Sequence, residues 1–491
     1  MEKLNINYSL KNIPCPNKKS YIKSLICKTE DFLKRLRWKA YFFDKKDEIE
    51  KNERKNNYGF KTPHTPPSNK DISKFEADLI DLIGKIEYKQ PNSSFQNKLE
   101  KDIETLKKSQ KVIVEADKTN NIYLVEPAKY NKLVHENVTQ SYAKCTNNEK
   151  TDIDKKSAEI AKNLQIEDRV QQFTTKKCFL KSKDHKPNFP NNVKCRLINP
   201  ANNQLGKVSQ KILRDVVEKL INKTQLNLWK NTDKVLDWFK SADKTKARFV
   251  KFDIVDFYPS ISKELLNKAL SFAMSHVPIS DQDLEIINHT KDSLLFDENG
   301  CWRKKSGIFD ITMGSFDGAE CCEIVGLYLL HKISKKVPTN QLGMYRDDGL
   351  AMIPHANGPK IDRIRKDITE IFKSEGLKIT CDTNLLYTDF LDAGLEIESG
   401  KHFPHRKPDD RPLYIHKDSN HPPSIIKKLP KMIGKRLSKL SYSEEEFRNA
   451  TAPYEKALLE SGHNEKLVYE HDTENEVPDS QNKRKRKRNV L

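Results

Sequence analysis

In each of two stretches of the chain, a short apolar run ends in acidic residues. One extends from Phe249 to Tyr258 and contains Asp253, and the other extends from Gly343 to Ala351 and contains Asp347 and Asp348. The apolar flanks of the second pair predict a β-hairpin with acids at its tip. A solvated turn with an accidental acidic pair is the ordinary alternative, because turns favour Asp. The first stretch favours the hairpin, since two buried strands that end in carboxylates would form a hard-oxygen site suited to Mg²⁺.

Apolar residues spaced by three and four positions predict helices along much of the remaining chain. These helices are expected near 22–38, 71–86, 205–222, 263–273, 320–333, 361–372 and 426–440. The helix that follows Pro259 is expected to begin at Ser262, a good N-cap residue. The helix at 71–86 is expected to bury one face, which contains Phe75, Leu79, Leu82 and Ile83.

Shorter apolar runs predict additional strands. Two runs on either side of 117–121 predict a hairpin, and strands are also expected at 377–380 and 388–397. From residue 249 onward the order is therefore strand, helix, helix, strand, strand. That order is typical of an α+β subdomain that gathers its acids on one surface of a sheet.

The chain carries a large excess of positive charge. Lys and Arg total 89 against 70 Asp and Glu, which gives a net charge of +19. Such an excess indicates a polyanionic partner, nucleic acid before membrane, although AT-biased coding or solubility alone would also produce it. No apolar run reaches the roughly 20 residues of a membrane-spanning helix, so we expect an intracellular protein without a membrane partner. The run from Lys483 to Arg488 is typical of a nuclear localisation signal or a nonspecific nucleic-acid arm.

The cysteines and histidines favour no zinc site. Nine cysteines lack a Cys-x-x-Cys framework, and Cys321 and Cys322 are adjacent. Buried reduced thiols are therefore expected in preference to disulfides or structural zinc. His402 and His405 have ligand-like spacing, but no cysteine pair lies near them, so we expect both to be surface histidines.

The order of the acidic motifs resembles that of reverse transcriptases. The motifs that resemble motifs A, B and C of that family are Asp253-x-x-Asp-Phe-Tyr258, the pair Gly314-Ser315, and Tyr345-Arg-Asp-Asp348. Additional segments resemble the reverse transcriptases of Penelope-like retroelements, namely Ala116-Asp-Lys118, Lys183-Asp-His-Lys186 before Arg196-Leu-Ile198, and Ser419-Asn-His-Pro-Pro423. The resemblance covers roughly residues 110 to 460.

Two features depart from the family pattern. Met313 stands before Gly314, where such enzymes usually have Gln. An amide contact to the incoming nucleotide is therefore not expected here. Penelope-like proteins often carry a C-terminal GIY-YIG endonuclease, and the stretch after Gly462 is too short for one. We therefore expect a form without that endonuclease.

The resemblance implies an α+β fold with the right-hand polymerase architecture of fingers, palm and thumb, preceded by a helical N-terminal extension. The expected division is an extension at 1–105 with a Pro-rich linker near 61–69, a fingers-like region at 106–240, a palm at 241–400, a thumb-like helical region at 401–464 and a disordered basic tail at 465–491.

The resemblance also implies a function. It predicts an RNA-directed DNA polymerase of a retroelement, which transfers nucleotides to a primer 3′-hydroxyl with two Mg²⁺ (or Mn²⁺) ions. The expected partners are an RNA template, a DNA primer, the RNA–DNA duplex and deoxynucleoside triphosphates. Two alternatives stay open: an RNA-dependent RNA polymerase, and a nucleic-acid-binding descendant that no longer catalyses.

The resemblance implies catalytic and metal-binding roles for residues of the acidic motifs. Asp253 and Asp347 are predicted to ligate both ions, and Asp348 is predicted to be a secondary ligand or an electrostatic support. The backbone carbonyl of Ile254 would complete one shell. Asp256 lies three residues after Asp253, so strand alternation would turn it to the opposite face in a mainly structural role.

The remaining predicted site residues contact nucleotide or nucleic acid. Tyr258 is predicted to lie against the sugar 2′ position and to favour deoxynucleotides. The other predicted nucleotide-binding residues are Gly314, Ser315, Arg196 and Lys183. The predicted nucleic-acid-binding residues are Lys186, near the fingers cluster, and Lys431, Lys435 and Arg436 on the basic helix.

Overall fold

The computed structural model describes residues 1–4, 11–44, 58, 65–91, 93–167, 170, 176–201, 204–407 and 411–470. The linker expected near 61–69 lies largely outside these ranges, and the basic run at 483–488 lies wholly outside them. None of the helices in the described ranges is long and apolar enough to cross a membrane. The five-part division of the chain stays a prediction.

Helices form much of the described chain. The α-helices are α1 (Lys18–Asp44), α2 (Lys70–Gly84), α3 (Ser94–Ser109), α4 (Pro127–Ser141), α5 (Asn147–Asn163), α6 (Gln204–Thr224), α7 (Thr232–Ser241), α8 (Phe257–Ser260), α9 (Lys263–Met274), α10 (Asp281–His289), α11 (Gly318–Ser334), α12 (Gly358–Ser374), α13 (Pro423–Leu440) and α14 (Glu444–Glu460). As predicted, Ser262 is the N-cap of α9, and its side chain accepts a hydrogen bond from the backbone N–H of Leu265.

Short strands form small sheets between these helices. The strands are β1 (Glu2–Lys3), β2 (Val112–Glu115), β3 (Ile122–Val125), β4 (Tyr142–Lys144), β5 (Phe179–Ser182), β6 (Cys195–Ile198), β7 (Arg248–Ile254), β8 (Leu295–Asp297), β9 (Gly300–Lys304), β10 (Leu342–Tyr345), β11 (Asp348–Ile353), β12 (Ile379–Leu385), β13 (Tyr387–Phe390), β14 (Ala393–Glu396) and β15 (His402–Pro404). The hairpins predicted around 117–121 and at the acidic pair are thus both present, as β2–β3 and β10–β11.

A four-stranded antiparallel sheet lies at the centre, in the order β10-β11-β7-β12. Alternate residues of β7, among them Phe252, pack into a large apolar core that also contains residues of α9, α11 and α12. The opposite face of β7 and β11 contributes Phe249 and Met352 to a second core, which α7 and the β13–β14 hairpin complete. Both faces of the sheet are therefore buried along most of its length, so functional side chains are expected at the ends of its strands.

Close packing requires glycine at position 349 of the sheet, directly after the acidic pair. Gly349 lies opposite Phe252 in the antiparallel register of β11 and β7. A Cβ atom at Gly349 would come within 2.0 Å of the Phe252 ring. Because the Phe252 ring occupies the space above this position, only glycine fits between Asp348 and the buried part of β11.

The prediction of which residues are buried in the helix at 71–86 is wrong in part. Ile72 and Ile83 are the buried residues of α2, whereas the side chains of Phe75 and Leu82 are 42% and 60% exposed. Ile72 and Ile83 lie 11 residues apart, close to three helical turns, so they share one face. In the described part of the chain α2 packs chiefly against α1, and a single neighbour covers only a narrow stripe.

The N-terminal extension docks onto the segment that leads into α13. The backbone N–H of Ile13 donates to Ser419 Oγ at 2.8 Å, and the N–H of Asn420 donates to the carbonyl of Ile13 at 2.9 Å. The ring of Phe95 stacks on His416 with ring centroids 3.7 Å apart. Residues that are more than 300 positions apart in the chain therefore hold the segment before α13 in place.

Two expectations about cysteine and histidine are wrong. Cys145 and Cys301 form a disulfide, because the antiparallel pairing of β4 and β9 brings their Cα atoms to 5.6 Å across 156 residues of sequence. Cys321 and Cys322 are buried free thiols, as expected. His402 is a buried histidine and not a surface one: its Nδ1 lies 2.9 Å from the carbonyl oxygen of Leu440, at the end of α13.

Candidate active site

Strand register brings the predicted acids together at one end of the central sheet. Asp253 of β7 lies directly opposite Asp348 of β11, so their side chains share one face of the sheet. The turn between β10 and β11 holds Arg346, whose φ is 54°, and Asp347. The backbone N–H of Ile254 donates to the carbonyl of Asp347 at 3.1 Å, which ties this turn to β7. The three carboxylates and Ile254 are thus placed side by side, as the sequence predicted.

Burial and mutual repulsion raise the pKa of two of these carboxylates. Burial raises the pKa of Asp253, and the neighbouring charge of Asp347 raises it further. Burial raises the pKa of Asp348 to about 6, and the charges of Asp347 and Asp253 add to that effect. Carboxylates that disfavour one another's ionisation are stabilised by a bound cation.

The donor set fits Mg²⁺ or Mn²⁺ that arrives together with a phosphate-bearing substrate. Among the residues that the structure describes, no group of three or more His, Cys, Asp or Glu side chains forms a ready-made metal cluster. Mg²⁺ retains several waters and is usually held by one or two carboxylates and the phosphates of a substrate, not by a closed protein cage. The carboxylate oxygens of Asp253 and Asp347, next to Asp348, would supply the protein ligands of such a site.

The raised pKa of Asp348 leads to a testable pH dependence. A carboxyl whose pKa rises from 3.8 to about 6 on folding stabilises the metal-free protein while it is protonated. That contribution is present below about pH 4 and is lost as the pH rises to about 6. Because only the charged carboxylate binds a cation, Mn²⁺ is expected to raise the melting temperature more above about pH 6 than below it.

Thermal unfolding with and without Mn²⁺ across this pH range tests the expectation. In the control variant Asp348→Asn, the pH dependence of the Mn²⁺ effect should be flattened, because the titrating group has been removed. An Mn²⁺ effect of equal size at every pH in the wild-type protein would contradict the assignment of Asp348.

Tyr258 lies near Asp347, and its predicted contact with the sugar 2′ position stays a prediction. It belongs to the short helix α8, directly after β7, and its ring is half-buried. The ring packs against α11: a Cβ atom at Gly318 would lie 3.4 Å from Tyr258 Cε1, and the hydroxyl hydrogen-bonds to Cys322. Burial is the main cause that raises the pKa of Tyr258, and Asp347 is near enough to contribute. A rigid, neutral ring therefore borders the carboxylates.

The predicted position of Asp256 on the opposite face of the strand is wrong, and its mainly structural role stays a prediction. Strand alternation no longer applies there, because β7 ends at Ile254. Asp256 has a φ of 48° in the left-handed region and is the N-cap residue of α8, where its side chain is exposed. It lines a cavity of about 710 Å³, here called the hairpin cavity, together with Lys183, Arg196 and Met313.

The glycine turn at Gly314 is shaped by a protein contact. Gly314 has a φ of 127°, and a Cβ atom at this position would lie 2.4 Å from the carbonyl oxygen of Asn199. The N–H of Asn199 donates to the carbonyl of Met313 at 3.1 Å. Ser315 donates its hydroxyl to the carbonyl of Thr312 at 3.2 Å. Gly314 thus lets this turn approach the end of β6, and its predicted contact with nucleotide stays a prediction.

Arg196 connects the β5–β6 hairpin to the acids. Its Nη1 lies 3.1 Å from Oδ1 of Asp117, in the turn between β2 and β3. Arg196 lines the hairpin cavity with Lys183, and it also lines a second cavity of about 610 Å³ with Asp347 and Asp348. We call this second space the carboxylate cavity. Arg196 is therefore placed between the two cavities, whereas Lys183 borders only the first.

The other predicted nucleic-acid-binding residues lie away from both cavities. Lys186 is exposed in the loop between β5 and β6, and Lys431 and Lys435 are exposed on α13. Arg436 has protein partners: its guanidinium pairs with Asp233 at 2.7 Å and with Asp392 at 2.6 Å. These ion pairs attach α13 to α7 and to the β13–β14 turn, so Arg436 is first a structural contact. Nucleic-acid binding by the four residues stays a prediction.

Two lysines of the carboxylate cavity were not predicted from the sequence. Lys251 lies two residues before Asp253 and on the same face of β7, a spacing that gives a usable signal. Its Nζ hydrogen-bonds to the carbonyl of Asp389 at 2.8 Å. Lys118 reaches the cavity from the turn between β2 and β3, and both lysines oppose the raised pKa of Asp348. Lys118 belongs to the segment at 116–118 that resembles Penelope-like reverse transcriptases, but no role in the site was predicted for it.

Comparison with known proteins shows the fold. No protein-family model matches the chain, and no curated protein matches it either. It is similar to telomerase from Candida albicans, solved with a fragment of telomeric RNA, with a TM-score of 0.52 and 12% identity over 84% of this chain and 68% of that one. An RNA-dependent RNA polymerase of a human picobirnavirus gives a TM-score of 0.46 and 9% identity over 79% of this chain and 84% of that one. The chain therefore has the α+β right-hand polymerase architecture with a helical N-terminal extension that its sequence predicts.

Proposed function

We propose that this protein is an RNA-directed DNA polymerase that adds nucleotides to a primer 3′-hydroxyl. The observation that carries the proposal is the pairing of Asp253 with Asp348 beside Asp347, at the end of a sheet in a polymerase fold. Asp347 and Asp348 line the carboxylate cavity together with Arg196, a residue type suited to binding phosphate. Acids that bind cations and bases that bind phosphates, placed in one cavity, suit phosphoryl transfer.

Each residue of the proposed site would have a separate role in the reaction. Bound Mg²⁺ or Mn²⁺ ions would stabilise the attacking and leaving oxygens of the transferred phosphate. Asp253 and Asp347 would hold those ions, with Asp348 and the Ile254 carbonyl in support. Arg196 would orient the triphosphate through charge-assisted hydrogen bonds, and Lys183 would assist from the hairpin cavity. Tyr258 would restrict the space at the sugar 2′ position.

We also propose the class of reverse transcriptase to which the protein belongs and the partners that it binds. The segments at 116–118, 183–198 and 419–423 support a retroelement enzyme of the Penelope-like kind. Its partners would be an RNA template, a DNA primer, their duplex and deoxynucleoside triphosphates. The basic run at 483–488 would serve as a nuclear localisation signal or as a nonspecific nucleic-acid arm.

Primer extension tests the proposal directly. The purified chain is supplied with a DNA primer annealed to RNA, with Mg²⁺ or Mn²⁺, and with either deoxynucleotides or ribonucleotides. We expect templated extension that uses deoxynucleotides in preference to ribonucleotides. Preference for ribonucleotides would identify an RNA polymerase, and absence of extension with either set would identify a non-catalytic descendant.

Replacement of Tyr258 by alanine is expected to relax sugar discrimination. The ring is fixed by its contacts with α11, so its removal opens space at the edge of the site. A steric difference of a few atoms typically changes discrimination by about 10- to 200-fold, so the preference for deoxynucleotides should fall by at least about 10-fold. The measurement is the ratio of kcat/KM for the two sugars.

Tyr258→Phe is the matched control, because it keeps the ring and removes only the hydroxyl. It should discriminate as well as the wild-type enzyme. If Tyr258→Ala uses ribonucleotides no better than the wild-type protein, the assignment of Tyr258 is wrong.

A further inference from the structure

One covalent bond joins two distant parts of the chain close to the hairpin cavity. Cys145 follows β4 and Cys301 lies in β9, and their disulfide spans 156 residues of sequence. The other seven cysteines are free thiols. Both bonded cysteines are partly exposed, which gives small thiols in solution access to the bond. The bond is therefore placed where it can exchange with such thiols.

The backbone keeps β4 against β9 independently of the disulfide. The antiparallel register pairs all three residues of β4 with residues of β9. The N–H of Cys145 donates to the carbonyl of Cys301 at 3.1 Å. The ammonium group of Lys144 lies 4.1 Å from the centre of the Trp302 ring, on the partner strand. Breaking the S–S bond would therefore loosen this sheet without dismantling it, as a reversible change requires.

The same two strands supply part of the wall of the hairpin cavity. Tyr142 of β4 and Lys304 of β9 line the cavity together with Asp310. Both carboxylate oxygens of Asp310 are engaged: Tyr142 Oη donates to one at 2.6 Å, and Lys304 Nζ lies 3.2 Å from the other. Lys304 Nζ also donates to the carbonyl of Pro259 at 2.7 Å, in α8 and directly after Tyr258. The relative position of β4 and β9 therefore shapes the cavity wall.

We propose that Cys145 and Cys301 are a redox-active pair, and that breaking their disulfide weakens nucleotide binding at the hairpin cavity. The effect on nucleotide binding rests on the proposed polymerase function, in which Lys183 and Arg196 of the same cavity contact the nucleotide. A polymerase meets its nucleic acid in reducing compartments of the cell, where a disulfide is usually transient or redox-sensing. The oxidised form fixes the cavity wall before the nucleotide arrives, and such pre-organisation favours binding.

The reduction is a two-electron exchange with an external thiol such as glutathione. One glutathione thiolate attacks a cysteine sulfur, the protein S–S bond breaks, and the other cysteine leaves as a thiolate. A second glutathione thiolate attacks the mixed disulfide, which releases oxidised glutathione and the remaining cysteine. The two protons that the glutathione thiols lose on ionisation are taken up by the two cysteine thiolates. The reverse reaction restores the bond.

Redox titration of the full chain tests the pair itself. The protein is equilibrated in mixtures of reduced and oxidised glutathione and quenched with an alkylating reagent, and the peptides that contain Cys145 and Cys301 are identified by mass spectrometry. We expect both cysteines to pass together from bonded to alkylated as the share of reduced glutathione rises, and to pair again on reoxidation. A pair that stays in one state at both extremes, or that reoxidises with other partners, would overturn the assignment.

The nucleotide KM of primer extension is then compared in the two redox states. Coupling between two sites typically changes affinity by about 5- to 150-fold, so reduction should raise the deoxynucleotide KM by roughly 5-fold or more. Cys145→Ser cannot form the bond and should show the raised KM in both states. Cys27→Ser, at an exposed free cysteine of α1, is the matched control and should respond to reduction as the wild-type protein does.

Thermal unfolding separates regulation from simple stabilisation. Reduction removes a link that spans 156 residues, so it should lower the melting temperature by about 5 °C or more. The KM is measured well below the melting temperature of the reduced form. A lowered melting temperature with the same KM in both states would show that the disulfide only stabilises the fold, and the regulatory role would be wrong.

Equilibrium binding keeps this inference distinct from the proposed function. The dissociation constant of dTTP is measured in Mn²⁺ for the oxidised and the reduced wild-type protein. If the protein extends primers with the same KM and the same dissociation constant in both states, the inference fails and the polymerase function stands. If no primer is extended but reduction still weakens dTTP binding, the polymerase function fails and the inference about the cysteine pair stands.

Discussion

Replacement of Asp347 by asparagine is expected to reduce primer extension by roughly 100- to 1,000-fold, the loss typical when an electrostatic group at a reacting centre is removed. Asparagine keeps the volume and one oxygen of the side chain, but it does not neutralise a cation. Because Asp347 helps to raise the pKa of both Asp253 and Asp348, its removal also relieves repulsion within the metal-free site. The melting temperature should therefore stay the same or rise while activity falls.

The measurement is single-turnover extension, together with thermal unfolding of the same samples. Asp382→Asn is a suitable control, since Asp382 is an exposed acid of β12 in the same sheet. It should extend primers at the wild-type rate. If Asp347→Asn extends primers as well as the wild-type protein, Asp347 has no catalytic role. If it loses activity only together with a lowered melting temperature, the loss comes from unfolding.

The two acidic strands could be predicted because the sequence pattern that specifies each strand lies within the strand itself. The apolar run that ends at Asp253 and the apolar flanks of Asp347 each predict a strand with an acidic end. The pairing of the two strands is not local, and it followed from the resemblance and from the cost of two unneutralised acidic ends. The register that sets Asp253 opposite Asp348 confirms that pairing.

The residues that were missed or misplaced depend on tertiary contacts. Lys118 is separated from Asp253 by 135 positions, and only the packing of the β2–β3 turn against β5 brings it to the carboxylate cavity. Arg436 was recognised as a charge on an amphipathic helix, but its carboxylate partners lie in α7 and the β13–β14 turn. Cys145 and Cys301 illustrate the same limit, because strand pairing and not spacing determines which thiols meet.

A buried ion pair supports the glycine turn beside the site. Nζ of Lys291 lies 2.5 Å from Oδ2 of Asp317, and both side chains are 1% exposed. Burial is the largest single influence on Lys291 and opposes its charge, but the charges of Asp317 and Cys321 and the hydrogen bonds to both side chains together raise the pKa of Lys291. Asp317 is the N-cap residue of α11, and it also accepts a hydrogen bond from the Thr290 hydroxyl at 2.9 Å. The pair therefore holds Asp317, the residue before α11, three residues after Gly314.

Lys291→Met is expected to destabilise the protein by about 3 to 5 kcal/mol, because it leaves the charge of Asp317 buried without a counter-ion. The double variant Lys291→Met/Asp317→Leu removes both charges and should recover much of this loss, although the Thr290 hydroxyl loses its acceptor. Denaturant unfolding gives the free energies. Lys219→Met, which breaks an exposed ion pair with Asp215 on α6, should cost less than about 1 kcal/mol. A double variant no more stable than Lys291→Met would show that packing, and not the unpaired charge, determines the cost.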